Sequence, residues 1–198
     1  MERRHLSPLL WTRFRWFLVL PPIIMHRLIS FTKNCLIFFI SYYLIMKKSE
    51  WGPCIWKTLH VLTVKIKDEH FDIQRSRLIE TITNICNNLP CPLCSSHAKS
   101  LLRKYKVEHV KTKDSLIYII IKLHNDVNKR LRKPIQEASV MKEYYKTLNT
   151  REIIQDYYNK NINMRFGEKM MMHSFHRKMF LTKFKSYIRT NIEYFDEW

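Results

Sequence analysis

Apolar residues recur every three to four positions between about residues 51 and 148, which is the spacing of amphipathic helices. The pattern predicts four helices and a short fifth one, over residues 53–67, 72–88, 92–105, 114–131 and 140–148. Pro90 and Pro134 mark two of the breaks between them. Because the connections are short, neighbouring helices should pack antiparallel. The predicted fold is therefore all-α, a four-helix bundle with a short fifth helix and extensions at both ends.

The two ends of the chain differ in pattern from this central part. We divide the chain into an apolar and basic extension (1–46), a central domain (47–150) and a basic tail (151–198). The tail holds one further amphipathic stretch, over about residues 168–188, with lysines and arginines interspersed. Such a helix can pack on the core, dock on a partner or lie on a membrane surface. We expect it to pack on the core.

The N-terminal extension contains two apolar stretches, over residues 16–25 and 35–46. Two prolines interrupt the first stretch, and the second is shorter than the roughly 20 residues needed to cross a bilayer. Extending the second stretch to cover 28–46 brings in a lysine and an asparagine. Three interpretations stay open: a marginal single-pass membrane anchor near 28–46, a buried or interfacial extension, and a protein whose working start is Met46.

Glycine is scarce, with only two in 198 residues. Two glycines cannot build a glycine-rich dinucleotide turn or phosphate loop. They also argue against an all-β fold, which needs many turns with positive φ. Any nucleotide cofactor must therefore be held by helices and side chains.

The formal net charge is +18, and the excess is spread over all three parts of the chain. Such a charge attracts nucleic acid, anionic lipid and acidic proteins alike. We interpret it as lysine-rich, solvated helix faces and expect no specific nucleic-acid partner.

Two of the five cysteines form a Cys-x-x-Cys pair, Cys91 and Cys94. Prolines on both sides of Cys91 place it at a helix N-terminus, where unsatisfied N–H groups favour a thiolate. His97 lies one helical turn beyond Cys94, on the same face. The group is either a redox centre, or three ligands of a zinc site completed by His124 or Cys86. The spacing alone does not decide between them.

Two other helices carry polar or aromatic residues on apolar stripes. Trp56 and His60 share a face of the first helix, and with Gly52 they can line a slot for a flat aromatic ligand or simply belong to the core. His124 and Asn128 share a face of the fourth helix, so each needs a partner, from the protein or from a polar ligand. A basic cluster suited to a diphosphate follows, made of Lys129, Arg130, Arg132 and Lys133.

Three segments together resemble a known family. They read W-G-P-C-I-W-K-T-L-H over 51–60, C-P-L-C-S-S-H over 91–97 and H-N-D-V-N-K-R-L over 124–131. In this order they resemble FAD-linked sulfhydryl oxidases of the Erv/ALR type, in the form found in large cytoplasmic DNA viruses. The resemblance covers about residues 47–150.

The resemblance implies a small helical bundle that holds FAD and forms a homodimer. Cys91 would exchange disulfides with the substrate, and Cys94 would be the thiol nearest the flavin. The cofactor-binding residues it implies are Gly52, Trp56, His60, His97, His124, Asn125, Val127, Asn128 and Lys133. The family often has glycine before that lysine, where this chain has Arg132.

The implied function is oxidation of dithiol proteins. Electrons would pass through the cysteine pair to FAD and then to O2, giving H2O2. The chain has no second Cys-x-x-Cys to act as a shuttle, so we expect a small thioredoxin-like protein to dock directly at Cys91. The viral resemblance implies a place in the infected-cell cytoplasm or the virion. The apolar sequence near 28–46, which lies outside the resemblance, leaves a single-pass membrane protein open.

Two other classes of function compete with this one. The first is a structural zinc module, and the second is a basic, non-enzymatic protein that binds nucleic acid or anionic membrane. The ordered motifs favour the oxidase, for which we expect no metal site.

Overall fold

The computed structural model of the protein describes residues 48–162, Met164 and 171–198, apart from the side chains of residues 171–174. The described residues belong to one unit that runs from Ile45 to Trp198. Residues 1–46, and with them the three interpretations of the N-terminal extension, lie outside the described residues. Within the described part, no helix has the length and apolar character to span a membrane.

The described residues form seven α-helices and no strand, which confirms the predicted all-α class. The helices are α1 Lys48–Val64, α2 Asp68–Asn87, α3 Pro92–Lys104, α4 Lys113–Arg130, α5 Ala138–Lys146, α6 Thr150–Ile162 and α7 Met171–Thr190. Two 3₁₀ turns, Val107–His109 and Ile192–Tyr194, follow α3 and α7.

Helix α1 begins five residues before the predicted position, so Pro53 lies inside the helix and does not open it. Proline cannot bond the carbonyl four residues back, here that of Ser49, but Ser49 is exposed and water can replace the bond. The residue before a proline is normally kept out of the helical conformation by its own Cβ. Gly52 has no Cβ, so the helix can continue through this position.

The other boundaries follow from local capping. Helix α2 starts four residues earlier than predicted, with Asp68 and Glu69 in its first turn, where carboxylates stabilise the positive end of the helix dipole. Helix α4 starts within one residue of its predicted position, because the Thr112 hydroxyl accepts a hydrogen bond from the N–H of Ser115 at 3.3 Å.

Helix α1 lies at the centre of the packing. It contacts α2, α4, α5 and α6, and ten of its 17 residues are buried. One hydrophobic cluster is centred on residues such as Leu59, Leu62 and Leu78, and a smaller one joins α1, α4 and α5 through Val61, Ile121 and Tyr145. Helices α6 and α7, in the segment interpreted as a tail, add to the first cluster.

An ion pair and backbone hydrogen bonds join the C-terminal segment to the end of α1. The ammonium of Lys65, whose side chain is only 4% exposed, lies 2.5 Å from Glu197 Oε2 and also donates to the carbonyl of Lys146. Backbone hydrogen bonds join the same parts: the Asp196 N–H donates to the Lys65 carbonyl at 2.8 Å, and the Thr150 N–H donates to the Glu197 carbonyl at 3.2 Å. These contacts tie together the last residues, the end of α1 and the junction between α5 and α6.

We expect Glu197→Gln to lower the free energy of unfolding by about 1–2 kcal/mol, because it leaves the buried Lys65 ammonium without its counter-charge. Urea titration of the parent and the variant measures this. Glu193→Gln, an equal charge change at an exposed residue of the same segment, should alter stability by less than about 0.5 kcal/mol. Equal effects of the two variants would contradict the prediction.

Candidate functional site

The Cys-x-x-Cys pair occupies the start of α3, as the flanking prolines predict. Cys91 is the N-cap residue, and its sulfur accepts a hydrogen bond from the Cys94 N–H at 3.3 Å. The two Sγ atoms lie 2.6 Å apart, much closer than non-bonded sulfurs, whereas a disulfide bond measures about 2.05 Å. Both residues are partly exposed. The pair can therefore close a disulfide within the first turn and remain accessible to another thiol.

The environment of Cys94 differs from that of an isolated thiol. Burial is the main cause that raises its pKa, to about 11, and the neighbouring Cys91 sulfur adds to the effect. Lys48, the first residue of α1, opposes it through its charge and a hydrogen bond. Two thiolates at this separation would repel strongly, so the Cys94 thiol of the reduced pair keeps its proton at neutral pH.

Helices α1 and α4 bring three aromatic rings together. The Trp56 and His124 rings stack with centroids 4.0 Å apart and planes 7° from parallel. His60 Nε2 lies 3.0 Å from His124 Nδ1, within hydrogen-bond distance. The Tyr145 ring of α5 stacks on the His60 ring, with centroids 4.2 Å apart and planes 12° from parallel. The structure thus joins Trp56, His60 and His124, which the sequence had placed on two separate helices.

His60 is completely buried, and its Nδ1 atom has no hydrogen-bond partner among the described residues. Burial, and then the neighbouring His124, lower the pKa of His60 to about 3. Burial and the positive charge of Lys133 lower the pKa of His124 to about 4. Both imidazoles are therefore neutral at physiological pH, and one nitrogen of His60 remains for a partner that is not part of the described chain.

The asparagines of α4 hold the loop that follows the helix. Asn125 bonds the backbone of Gln136 in both directions, accepting from its N–H at 3.0 Å and donating to its carbonyl at 2.8 Å. The buried Asn128 donates to the Pro134 carbonyl at 3.3 Å. The chain itself therefore supplies the partner that the sequence required for Asn128, and Asn125 also orders residues 131–137.

Arg132 in this loop has φ of 55°, the left-handed conformation that glycine adopts without steric cost. The position is the one where the resembled family often has glycine. The backbone therefore makes at Arg132 the turn that glycine would favour. The left-handed conformation costs an arginine of order 1 kcal/mol. Lys133 follows, and its N–H donates to the Asn128 carbonyl at 2.9 Å.

The remaining predicted site residues are His97, Val127 and Gly52. His97 of α3 is partly buried near Arg130 and Asp126, and its burial lowers its pKa. Val127 packs against the larger hydrophobic cluster. A Cβ built on Gly52 would meet nothing within 4 Å, so the space beside this residue is open.

A zinc site is not supported by the geometry. Within the described residues, no group of three or more His, Cys, Asp and Glu side chains is arranged to hold a metal ion. Cys86, one of the proposed fourth ligands, is fully buried, and burial raises its pKa to about 12. The other, His124, is stacked on Trp56 and bonded to His60.

The sequence patterns did not identify two residues of this site, Tyr145 and Lys48. Tyr145 belongs to the predicted fifth helix, and the apolar period of that helix marks Met141 and Tyr145 as inward-facing. This periodicity could have found it. Lys48 lies near Cys94 only because α1 extends back beyond Pro53, and no local pattern predicted that extension.

Comparisons of the sequence with known proteins identify the family of the chain. The Erv1 / Alr family profile matches residues 53–146. A protein named FAD-linked sulfhydryl oxidase, from African swine fever virus, is 36% identical over 104 residues, which make up 52% of this chain and 87% of that protein. The chain belongs to the Erv1 / Alr family.

More distant relatives come from yeasts. FAD-linked sulfhydryl oxidase ERV2 of Saccharomyces cerevisiae is 31% identical over 98 residues, covering half of each chain. Mitochondrial FAD-linked sulfhydryl oxidase erv1 of Schizosaccharomyces pombe is 26% identical over 102 residues, covering 51% of this chain and 56% of that one. No solved structure matches the chain significantly.

We expect the free energy of unfolding of the cofactor-free protein to fall as the pH falls from about 6.5 towards 4. The unfolded histidines take up protons near the ordinary histidine pKa of about 6.5, whereas in the folded protein the pKa of His60 is lowered to about 3 and that of His124 to about 4. The unfolded state therefore binds more protons in this range. Each of the two histidines lowers the free energy of unfolding by up to about 1.4 kcal/mol for each pH unit of acidification. Denaturant titrations between pH 5 and 7.5 measure the slope.

His124→Gln should reduce this slope, because it removes one of the two suppressed titrations. His109→Gln is the matched control, since His109 is exposed and far from the ring stack in sequence. A parent whose stability is constant between pH 7.5 and 5 would contradict the prediction.

Proposed function

We infer that this protein is an FAD-linked sulfhydryl oxidase, which forms disulfide bonds in dithiol substrates. The observation that carries this conclusion is the Cys91–Cys94 pair, with its sulfurs 2.6 Å apart and partly exposed at the start of α3. Membership of the Erv1 / Alr family and the names of its relatives indicate the cofactor and the reaction class.

The residues present fit a flavin nucleotide. The Trp56–His124 stack offers flat aromatic surfaces, and the buried His60 Nδ1 atom lacks a polar partner in the described chain. The open space at Gly52 allows close approach to the backbone of α1. We propose that Trp56, His60 and His124 hold the ring systems. His97 and Val127 would complete the cavity wall, Asn125 and Asn128 would order its loop, and Lys133 would balance the phosphate charge.

Bound FAD would supply the redox chemistry, as the acceptor of the two electrons held by the reduced cysteine pair and their donor to O2, which would give H2O2. The protein's own residues perform the thiol exchange that precedes this. A substrate thiolate attacks Sγ of Cys91 in the disulfide, the S–S bond breaks and Cys94 leaves as a thiolate beside Lys48. The second substrate thiolate then attacks the mixed disulfide. The substrate is released as a disulfide, and Cys91 and Cys94 carry its two electrons.

Substrate entry at Cys91 is supported by the other cysteines of the domain. Cys54 and Cys86 are buried, and burial is the main cause that raises the pKa of each to about 12. Such thiols are poor nucleophiles at neutral pH. Cys35 lies outside the described residues. We propose that a reduced protein, a small thioredoxin-like one, docks directly at Cys91.

Three further assignments remain proposals. A homodimer and a place in the infected-cell cytoplasm or virion are supported by the resemblance to the viral form of the family. Membrane association through residues 28–46 is supported by the apolar sequence of that segment.

We expect Cys91→Ser and Cys94→Ser each to abolish oxidation of dithiothreitol, because one disulfide cycle needs both sulfurs. Both variants should still fold and retain the yellow flavin absorbance, since neither sulfur belongs to the ring stack. Oxygen consumption and the visible spectrum measure the two properties. Ser96→Ala, an exposed neighbour on the same helix, should keep parental turnover, and turnover in either cysteine variant would refute the assignment.

The triple variant Cys35→Ser, Cys54→Ser, Cys86→Ser tests direct entry. If it folds and binds FAD, it should oxidise a protein dithiol at close to the parental rate, because electrons enter at Cys91. Circular dichroism and flavin content control for folding. A variant that still oxidises dithiothreitol but no longer oxidises the protein dithiol would reveal a relay cysteine and overturn the proposal.

A further inference from the structure

The residue between the reactive cysteines exposes an apolar side chain to solvent. Leu93 is 80% exposed, and none of the large hydrophobic residues described in the structure exceeds this value. Its neighbour Pro92 is exposed as well. A single exposed leucine is common on protein surfaces and needs no explanation by itself. Here it occupies the turn that closes the redox-active pair.

In thiol exchange, a folded substrate must bring its own surface close to the residues around Cys91. The attacking sulfur must come within bonding distance of Cys91 Sγ, which lies at the N-cap of α3 and bonds the N–H of Cys94. Leu93 lies between these two residues in the sequence, in the first turn of α3, and its side chain is exposed. Proline at the first helical position fixes the backbone that carries it. We therefore expect a protein surface that reaches Cys91 to cover the exposed Leu93 side chain.

A small dithiol is affected differently. Dithiothreitol can reach the sulfur without covering the leucine, so it gains nothing from this side chain. A folded protein covers it, and the gain from removing a leucine from water corresponds to about tenfold or more in affinity. The leucine therefore discriminates between substrates by the surface around their thiols.

We propose that Leu93, with Pro92, is a specificity-determining docking contact for folded protein dithiols whose cysteine pair is surrounded by an apolar surface. This inference rests on the proposed oxidase function. It names the class of substrate and a contact that lies outside the cysteine pair and the ring stack.

The test compares two substrates on the full-length, FAD-loaded protein: reduced thioredoxin as a folded protein dithiol, and dithiothreitol. Leu93→Ser should raise KM for reduced thioredoxin about tenfold with kcat little changed, and kcat/KM for dithiothreitol should stay within about twofold of the parent. Leu93→Met should restore most of the loss, because it keeps an apolar side chain of similar volume. Ile73→Ser is the matched control, since Ile73 of α2 is 77% exposed. This substitution should leave KM and kcat unchanged for both substrates.

Three outcomes would overturn the inference. Unchanged kinetics with both substrates would show that Leu93 makes no contact. Equal losses of kcat/KM with both substrates would show that the substitution alters the redox properties of the Cys91–Cys94 pair. A change in mass by light scattering that accompanies the loss would show that a second copy of the chain covers Leu93. A parental protein that cannot oxidise dithiothreitol would refute the oxidase function itself, and this inference with it.

Discussion

The burial of α1 among four other helices is the packing arrangement on which the candidate site depends. Trp56 and His60 can meet His124 only because α4 lies against α1, and Tyr145 reaches His60 only because α5 does. Lys48 reaches Cys94 from the beginning of the same helix. Since α1 is held on several sides, the aromatic surfaces offered to a flat ligand are fixed before that ligand binds. Such preorganisation lowers the entropic cost of binding.

The buried histidines show how this fixed arrangement is maintained. Burial keeps both imidazoles neutral at physiological pH, so they can share one hydrogen bond without repelling each other. The His60 Nδ1 atom has no hydrogen-bond partner within the part of the chain that the structure describes, and a buried polar atom without a partner destabilises the folded state. A bound ligand that supplies the partner removes this cost, and it therefore stabilises the fold as well as enabling the reaction.

Local features of the site were predictable from the sequence, and features that depend on tertiary contacts were not. Prolines around Cys91 identify a helix start, so the position of the cysteine pair follows from adjacent residues. The bond between His60 and His124 spans 64 positions, and periodicity gives only the face of each residue, not the neighbour it meets. The start of α1 was placed too late, because Gly52 removes the clash that normally ends a helix before proline. The left-handed conformation at Arg132 was also hidden, since arginine gives no sign of it.

The C-terminal region supports the site from outside the family-matched segment, which ends at residue 146. Lys65 bonds both Glu197 and the carbonyl of Lys146, the residue next to Tyr145. The position of the Tyr145 ring over His60 is thus connected to the last residues of the chain by one buried ammonium. Helix α6 covers the side of α1 that carries Cys54, and α7 packs on α6. Helix α1, which carries Trp56 and His60, is therefore packed in this chain partly against a helix that lies beyond the family-matched segment.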